Sequence, residues 1–305
     1  MNEFNRNNAQ QYQLASYFIR AIFTMLLIIA AIATSGAAEP GYDKDGLSAE
    51  QAALADEMLR FIDEMDEKHY ALVEKLNGNR DFEAKIFEDE NSDYEIKVSR
   101  GDVIEKTGFT TSVTKLGVKP YTQDAIWSRV VTINMHPKSP LVGYLHAFVS
   151  FQYNTDGTSS IGGWMDVIPA VRIQEDLDYV RGKVDEVFEK YDVDPTGYRK
   201  AICSGHRKEL LGPGCAAVSF YAPPFLSLTP ETLGLVNETF AALFDAYADV
   251  LEKRAGQDYS DSDLKEQDAF RRRWLEDQMI HDPYAQHVIP HTVRSFANYP
   301  PTTKY

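Results

Sequence analysis

Apolar positions recur at two different spacings along this chain, and the change of spacing predicts the order of its elements. Between Ser48 and Asn77 they follow the three-and-four spacing of an amphipathic helix, at Leu54, Met58, Phe61, Ile62, Met65, Leu72 and Leu76. Ser48 and Gln51 form a capping box at the start of this helix, and Asn77-Gly78 end it. His69 lies among charged neighbours and is predicted to be a solvated surface residue.

The spacing changes to two from Asp81 to about Pro169, which predicts β-strands. The alternating apolar positions are Phe82, Ala84 and Ile86, then Tyr94, Ile96 and Val98, then Val131, Ile133 and Met135, then Leu145, Ala147, Val149 and Phe151. Turns rich in Asn, Asp and Gly separate these runs, as at residues 91–93 and 154–157. Runs joined in this way predict an antiparallel sheet.

Helical spacing returns after the sheet. It predicts helices at 172–191, 196–210, 229–254 and 262–280, a short strand at 215–221, and an irregular, proline-broken tail after Asp282. No linker separates the strands from these helices. We therefore predict one α+β domain over residues 48–305, in which helices flank a large antiparallel β-sheet.

The first 38 residues differ from the rest in composition. An apolar run at 21–33 follows Arg20 and is shorter than the roughly 20 residues of a membrane span. Gly36 and Ala38 occupy the −3 and −1 positions of a signal-peptidase site. Residues 1–38 are therefore predicted to be a signal peptide or an N-terminal membrane anchor, with a linker at 39–47. Either interpretation exports the domain, which is then periplasmic or secreted. An anchor would add membrane association through residues 17–34.

Charge and cysteine content exclude several classes of protein. The chain carries 31 Lys and Arg against 46 Asp and Glu, a net charge of −15, which excludes a general nucleic-acid binder because such proteins neutralise phosphates with cations. Two cysteines, Cys203 and Cys215, cannot form a four-thiolate zinc site or a disulfide-dense scaffold. In an exported chain they could form one bridge. Burial as small core residues is the interpretation that we favour.

Generic catalytic motifs are absent, since the sequence has no GxSxG, CxxC, HExxH or glycine-rich phosphate loop. Three residues of the predicted sheet are the remaining candidates: His136 ends one strand, His146 lies in the next, and Asp166 follows Gly162-Gly163. Brought together, they would supply a proton donor, an acceptor and a carboxylate, or the ligands of a facial iron site. The alternative is that all three are hydrogen-bonded structural residues.

Four segments, in order, resemble motifs of the oxygen-dependent coproporphyrinogen III oxidase family. Residues 132–151, TINMHPKSPLVGYLHAFVSF, contain a His-Pro turn followed by a second His-bearing strand, as the family does. Residues 101–117, GDVIEKTGFTTSVTKLG, resemble its upstream strand motif. Residues 162–169, GGWMDVIP, resemble its GGG-x-DLTP segment, and 206–220, HRKELLGPGCAAVSF, its HR-x-E-x-x-G-x-GG strand entry. The chain is thus identified as a divergent member by resemblance.

The resemblance implies a large antiparallel sheet flanked by helices, a homodimer, and oxidative decarboxylation of porphyrinogen propionates to vinyls, as in haem biosynthesis. It implies O2 as co-substrate and no metal or organic cofactor. It also implies roles for residues: Asp166 as the carboxylate beside the pyrrole N–H groups, and His146 as the proton donor. Thr132 stands for a substrate-contacting Ser, and His136 and His206 match further histidines of the family site.

Three positions depart from the family pattern where it binds propionates. Phe148 and Ser150 stand in place of an Asn and an Arg, and His291 lies where a Gly-Gly-Arg is expected. An Arg–carboxylate contact contributes about 1.5–3 kcal/mol, so the loss of two favours a less acidic, more apolar ligand at these three positions. We therefore expect either an enzyme acting on coproporphyrinogen III or another pyrrolic or aromatic compound, or an inactive homologue that binds its ligand outside the cytoplasm.

Overall fold

The computed structural model of the chain describes residues 41–204, 215–222 and 226–304. The predicted signal or anchor at 1–38 and the candidate His206 lie outside these residues. Within them the strands are β1 (Glu83–Glu88), β2 (Ser92–Ser99), β3 (Ile104–Thr114), β4 (Ala125–Pro137), β5 (Tyr144–Asn154), β6 (Ser159–Ile168) and β7 (Phe220–Tyr221). The helices are α1 (Ala49–Asn77), α2 (Gln174–Lys190), α3 (Thr196–Ile202), α4 (Pro230–Arg254), α5 (Asp261–Glu276), a π-helix (Asp277–His281), α6 (Pro283–Val288) and α7 (His291–Ala297).

The seven strands form one antiparallel sheet in chain order, β1 to β7. This confirms the predicted α+β class and the antiparallel pairing. The predicted helices at 172–191 and 229–254 are α2 and α4. The predicted strand at 215–221 is reduced to β7, and the helix predicted at 262–280 is α5 followed by the π-helix. None of the described helices combines the length and the apolar composition needed to cross a membrane.

One face of the sheet is apolar and is covered by helices. Alternate residues of the two central strands point to this face, namely Val131, Ile133 and Met135 of β4 and Leu145, Ala147, Val149 and Phe151 of β5. They pack with the buried stripes of α1, α2 and α4 in a single hydrophobic cluster. We call this the helix-covered face. It is the main core of the molecule.

The opposite face carries polar residues and is covered by the end of the chain. Residues of even number on β4 and β5 point to it, among them Thr132, Asn134 and His146. Residues 261–299, which we call the C-terminal cover, lie over this polar face. Asn134 contacts Asn298 of the cover, and Lys106 of β3 donates to the carbonyl oxygen of Tyr299 at 2.7 Å.

The prediction of an irregular tail after Asp282 is wrong, because α6 and α7 occupy it. Two of the four prolines after Asp282, namely Pro283 and Pro290, stand at helix starts. Pro283 is in the first turn of α6, whose N-cap Asp282 accepts hydrogen bonds from Tyr284 N and Ala285 N. Proline is well tolerated there, since the first-turn N–H groups have no partner within the helix.

Two further sequence expectations are wrong. His69 is fully buried, with its ring against Tyr70 and Phe109, because it continues the apolar stripe of α1 despite its charged neighbours. Cys203 and Cys215 are joined by a disulfide rather than lying free in the core. The end of α3 and the chain that enters β7 lie side by side, with the two Cα atoms 5.7 Å apart.

Candidate functional site

The candidate residues meet on the polar face because of the register of β4, β5 and β6. Asn134, His146 and Asp166 are direct neighbours across the three strands, and Thr132, Phe148 and Trp164 form the next row. Directly opposed residues point to the same face, with Cα atoms about 4.5–5.5 Å apart. The structure therefore brings His146 and Asp166 together.

His146 has a defined orientation under the cover. Its Nδ1 lies 2.8 Å from Oδ1 of Asn134, and because an amide oxygen only accepts hydrogen bonds, Nδ1 is the donor. The ring packs edge-on against Trp164, with centroids 4.8 Å apart, and against Trp274 of α5 at 5.4 Å. It also lines the cavity described below. The contact with Asn134 therefore directs an Nδ1 proton of the ring towards the amide oxygen.

Asn134 and Tyr144 belong to the same network, although neither is among the residues predicted from the sequence. Oδ1 of Asn134 also accepts a hydrogen bond from the Tyr144 hydroxyl, and its Nδ2 donates to Oδ1 of Asn298 at 2.9 Å. The feature of the sequence that could have pointed to Asn134 is its polar amide side chain between Ile133 and Met135, which are buried on the opposite face. Asn134 thus connects the histidine to the C-terminal cover.

Asp166 is fully buried and faces the chain entering β7. Its Oδ1 accepts from the Val218 amide at 2.9 Å, and its Oδ2 from the Ala217 amide at 3.2 Å. Ala217 adopts a positive φ of 53°, which is costly for a residue with a Cβ and aims its N–H at the carboxylate. Burial raises the pKa of Asp166 to about 7, against the opposite effect of these amides. The carboxylate does not line the cavity.

His136 lies at the edge of this network. Its Nε2 donates to the Asn298 carbonyl oxygen at 3.0 Å, and its ring stacks on Tyr144 at 4.3 Å. Burial holds its pKa well below the ordinary value, so the ring is neutral. Throughout the described residues, no three His, Cys, Asp or Glu side chains are placed to hold a metal ion. His136, His146 and Asp166 therefore do not form the facial metal site that their residue types allowed.

A cavity of about 70 Å³ separates the polar face from the cover. Its sheet wall includes Thr132, His146, Phe148 and Trp164, and its cover wall includes Gln278, Tyr284, Val288, Ile289 and Val293. Ligand pockets measure about 300–1,000 Å³. The described cavity is thus smaller than a pocket for a ring-sized ligand, and Tyr284 of the cover stacks on Phe148 with centroids 6.4 Å apart.

The polar groups of this cavity are mainly neutral. Hydroxyl side chains line it from three neighbouring strands, at Ser92, Thr110, Ser112, Thr114 and Thr132. The Thr110 hydroxyl is buried and has no hydrogen-bond partner among the described residues. Over the same residues, the lining contains no Lys or Arg, and its one carboxylate, Asp282, caps α6. The described wall thus suits an aromatic ligand that carries neutral hydrogen-bonding groups.

Two of the four residues predicted to bind substrate line the cavity, and the other two do not. Phe148 and Thr132 line the cavity, whereas Ser150 is buried two residues further along β5 and does not reach it. His291 is exposed at the start of α7, with its ring 5.6 Å from that of Tyr299, and also lies outside the cavity. The sequence could not place His291, because its helix was predicted as irregular chain.

Comparison with known proteins identifies a family and a structural relative. The sequence profile of the coproporphyrinogen III oxidase family matches residues 57–295. The fold is similar to the crystal structure of phytochromobilin synthase from tomato in complex with biliverdin, with 12% identity, a TM-score of 0.46, and coverage of 73% of this chain and 74% of that one. No curated protein sequence matches the chain.

Proposed function

Because this chain belongs to the coproporphyrinogen III oxidase family, we propose that it is an oxidoreductase acting on a tetrapyrrole or a related pyrrolic compound. The family membership that the resemblance predicted is thereby confirmed. The observation that carries the proposal is the position of His146, which lines a cavity between aromatic residues while Asn134 fixes its ring. We place the substrate in that cavity, with the C-terminal cover open.

The proposed reaction is an oxidative decarboxylation with O2 as co-substrate. A propionate side chain loses CO2, one proton and two electrons and becomes a vinyl group, while O2 takes up the two electrons with that proton and one proton from solvent and becomes H2O2. In this scheme the His146 ring accepts and returns a proton. Asp166, directly opposite on β6, stabilises the protonated imidazole when the carboxyl is ionised. Neither step requires a metal or an organic cofactor.

The ligand is proposed to be less acidic than coproporphyrinogen III at the end that faces β2 and β3. The hydroxyl groups of that wall and the apolar Phe148 support this, together with the lack of a cationic side chain among the described lining residues. A carboxylate buried there would lose its hydration without gaining an ion pair, which is strongly unfavourable. Tetrapyrroles with fewer carboxylates are therefore the preferred substrates.

Oxygen uptake, H2O2 formation and product mass would test this function on the purified exported domain. We would supply, in parallel, coproporphyrinogen III and a porphyrinogen that keeps at least one propionate but has fewer of them. Turnover should be abolished by His146→Ala and strongly reduced by Asp166→Asn. It should be unchanged by Asp156→Asn, which alters an exposed carboxylate in the β5–β6 turn. Equal turnover in His146→Ala and the unmodified protein would reject the proposed chemistry.

A ligand-binding protein without catalysis is the second candidate. It is favoured by the two backbone amides that hold the Asp166 carboxylate away from the cavity. Such a protein would bind coproporphyrin III or its esters, seen as quenching of tryptophan fluorescence, and consume no O2. Binding that persists in Asp166→Asn, without turnover in any variant, would select this alternative.

We further propose that the protein works outside the cytoplasm as a homodimer. The Cys203–Cys215 disulfide supports export, since such bonds persist in oxidising compartments. Cell fractionation of a C-terminally tagged chain and light scattering of the purified protein would test the two statements. A reduced, cytoplasmic chain would contradict the first, and a monomeric mass the second.

A further inference from the structure

We infer that Arg181 is a positioning residue, which holds two peptide groups in place so that their N–H groups bind the Asp166 carboxylate and favour its ionised form. The inference deepens the proposed function, because it rests on Asp166 as the carboxylate that balances charge during proton transfer. The ionisation of Asp166 is, however, a property of the protein without substrate, and it can be measured separately from turnover.

Two consecutive peptide groups lie between the guanidinium of Arg181 and the carboxylate of Asp166. The first joins Ala216 and Ala217. Its carbonyl oxygen accepts from Nη2 of Arg181 at 3.2 Å, and its N–H donates to Oδ2 of Asp166 at 3.2 Å. The second joins Ala217 and Val218. Its carbonyl oxygen lies 3.4 Å from the same Nη2, and its N–H donates to Oδ1 of Asp166 at 2.9 Å. One nitrogen of the cation therefore holds both peptides, and each carboxylate oxygen receives one of them.

Each of these peptide groups is polarised from both ends. A cation at the carbonyl oxygen draws electron density away from the N–H, which becomes a stronger donor to an anion. Hydrogen bonds to an ionised acceptor are roughly twice as strong as those between neutral groups. A protonated carboxyl group gains less, because it carries no charge for the N–H groups to stabilise. The arrangement therefore favours the ionised form of Asp166 over the protonated form.

The backbone that presents the two N–H groups needs to be held from outside. Ala217 has a φ of 53°, in the left-handed region, and the turn there aims successive N–H groups at one anion, as in a backbone nest. Residues 215–219 have no regular secondary structure, and the chain pairs with β6 only from Phe220 onward. The Cys203–Cys215 disulfide fixes the chain just before the turn. Arg181 fixes the turn itself, through both of its carbonyl oxygens.

The charge of Arg181 is directed at these peptides. Among the described residues, no carboxylate forms an ion pair with its guanidinium, whereas Arg199 of α3 pairs with Asp185 of α2 at 2.6 Å. Arg199 also donates to the next carbonyl oxygen of the segment, that of Val218, at 3.2 Å. Its charge is therefore shared with Asp185. Arg181 is the cation whose full charge acts on the two peptides that bind Asp166.

Burial opposes the ionisation of Asp166, and it raises the pKa of this carboxyl to about 7 against the effect of the amides. Other ionisable groups on the elements that surround Asp166 are Tyr144 and His146 on β5, Tyr221 on β7, Asp185 on α2, Arg199 on α3, Arg273 on α5 and the buried Asp277 in the cover. All of them are retained in the variants compared below. A difference between those variants therefore reports the contact of Arg181.

The test is a pH titration of the Asp166 carboxyl carbon by ¹³C NMR, on the purified protein with its disulfide intact and with Asp166→Asn to assign the signal. In Arg181→Met, which removes the cation from a side chain of similar length, the midpoint should rise by roughly one pH unit, a tenfold change in proton affinity. Arg181→Lys should reverse part of this rise, because an ammonium group also donates to carbonyl oxygens.

Lys183→Met is the matched control. It removes the same charge from the same helix, but Lys183 is exposed and pairs with Glu186 at 2.7 Å. Its substitution should leave the Asp166 midpoint unchanged. An unchanged midpoint in folded Arg181→Met would overturn the inference, and so would an equal rise in Lys183→Met, which would reflect net charge alone.

The unmodified protein decides the question even if Arg181→Met does not fold. The amide ¹⁵N signals of Ala217 and Val218 and the side-chain nitrogen signals of Arg181 should all shift with the midpoint of Asp166. Arg181 signals that do not respond to this ionisation would overturn the inference. Normal turnover in Asp166→Asn, together with the expected titrations, would reject the proposed function and leave the inference standing.

Discussion

The two faces of the sheet are built from alternate residues of the same strands, yet they are buried in opposite ways. On β4 and β5 the helix-covered face presents Ile133 and Val149, which need only close packing. The polar face presents Asn134 and His146, each of which needs a specific partner to offset the loss of water. The helix-covered face supplies stability, whereas the polar face gives up some stability to hold reactive groups in place.

The largest expected effect is on stability, and it should differ between two phenylalanines of β5. Phe151 is fully buried on the helix-covered face, and Phe148 lines the cavity on the polar face. Phe151→Ala should lower the free energy of unfolding by about 3–5 kcal/mol through loss of packing and an unfilled cavity. Phe148→Ala should lower the free energy of unfolding by clearly less than this and should weaken ligand binding instead. Urea unfolding followed by circular dichroism measures both, and equal losses would remove the proposed division between the faces.

The next effect is the pH dependence contributed by Asp166. Because burial raises its pKa from 3.8 to about 7, the folded protein retains a proton that the unfolded chain has released between these values. Stability present below pH 4 is therefore lost as the pH rises through 7, by roughly 4 kcal/mol in total. The free energy of unfolding should fall over this range relative to Asp166→Asn. A difference in free energy of unfolding that stays constant with pH between the two proteins would mean that the carboxyl of Asp166 ionises normally.

Lys106, on the same polar face, should give the opposite pH dependence of stability. It is buried against the carbonyl oxygens of Tyr299 and Ser295, and burial lowers its pKa from 10.5 to about 7. The unfolded chain binds the proton more tightly, so stability should increase between pH 7 and 9, by roughly 2–3 kcal/mol. In Lys106→Met this increase should disappear. Unfolding curves at three pH values would measure it, with an unchanged slope in the variant as the contradicting result.

Sequence patterns predicted the strands and the main helices because apolar spacing records which face of an element is buried. They did not give the partners of Asp166, whose carboxylate is held by amides about fifty residues away, near Ala217 and Val218. The hydrogen bond of Asn134 to Asn298 was missed in the same way, because Asn298 lies in a tail that its prolines made look irregular. Both are contacts between segments far apart in the sequence, and the spacing of apolar residues within one element does not predict such contacts.

The substitution with the smallest expected change in stability is also the most direct test of ligand binding. Thr110 has a buried hydroxyl without a partner among the described residues, and it lines the cavity. Thr110→Val keeps the shape of the side chain and removes that hydroxyl, so the free energy of unfolding should change by no more than about 1 kcal/mol, towards higher stability. Binding of a decarboxylated porphyrin should weaken about tenfold, because a net hydrogen bond of about 1.4 kcal/mol is lost. Thr111→Val, on the opposite face, should change binding little. Unaltered affinity in Thr110→Val would show that the ligand does not reach β3, and would limit its site to the rows around His146 and Phe148.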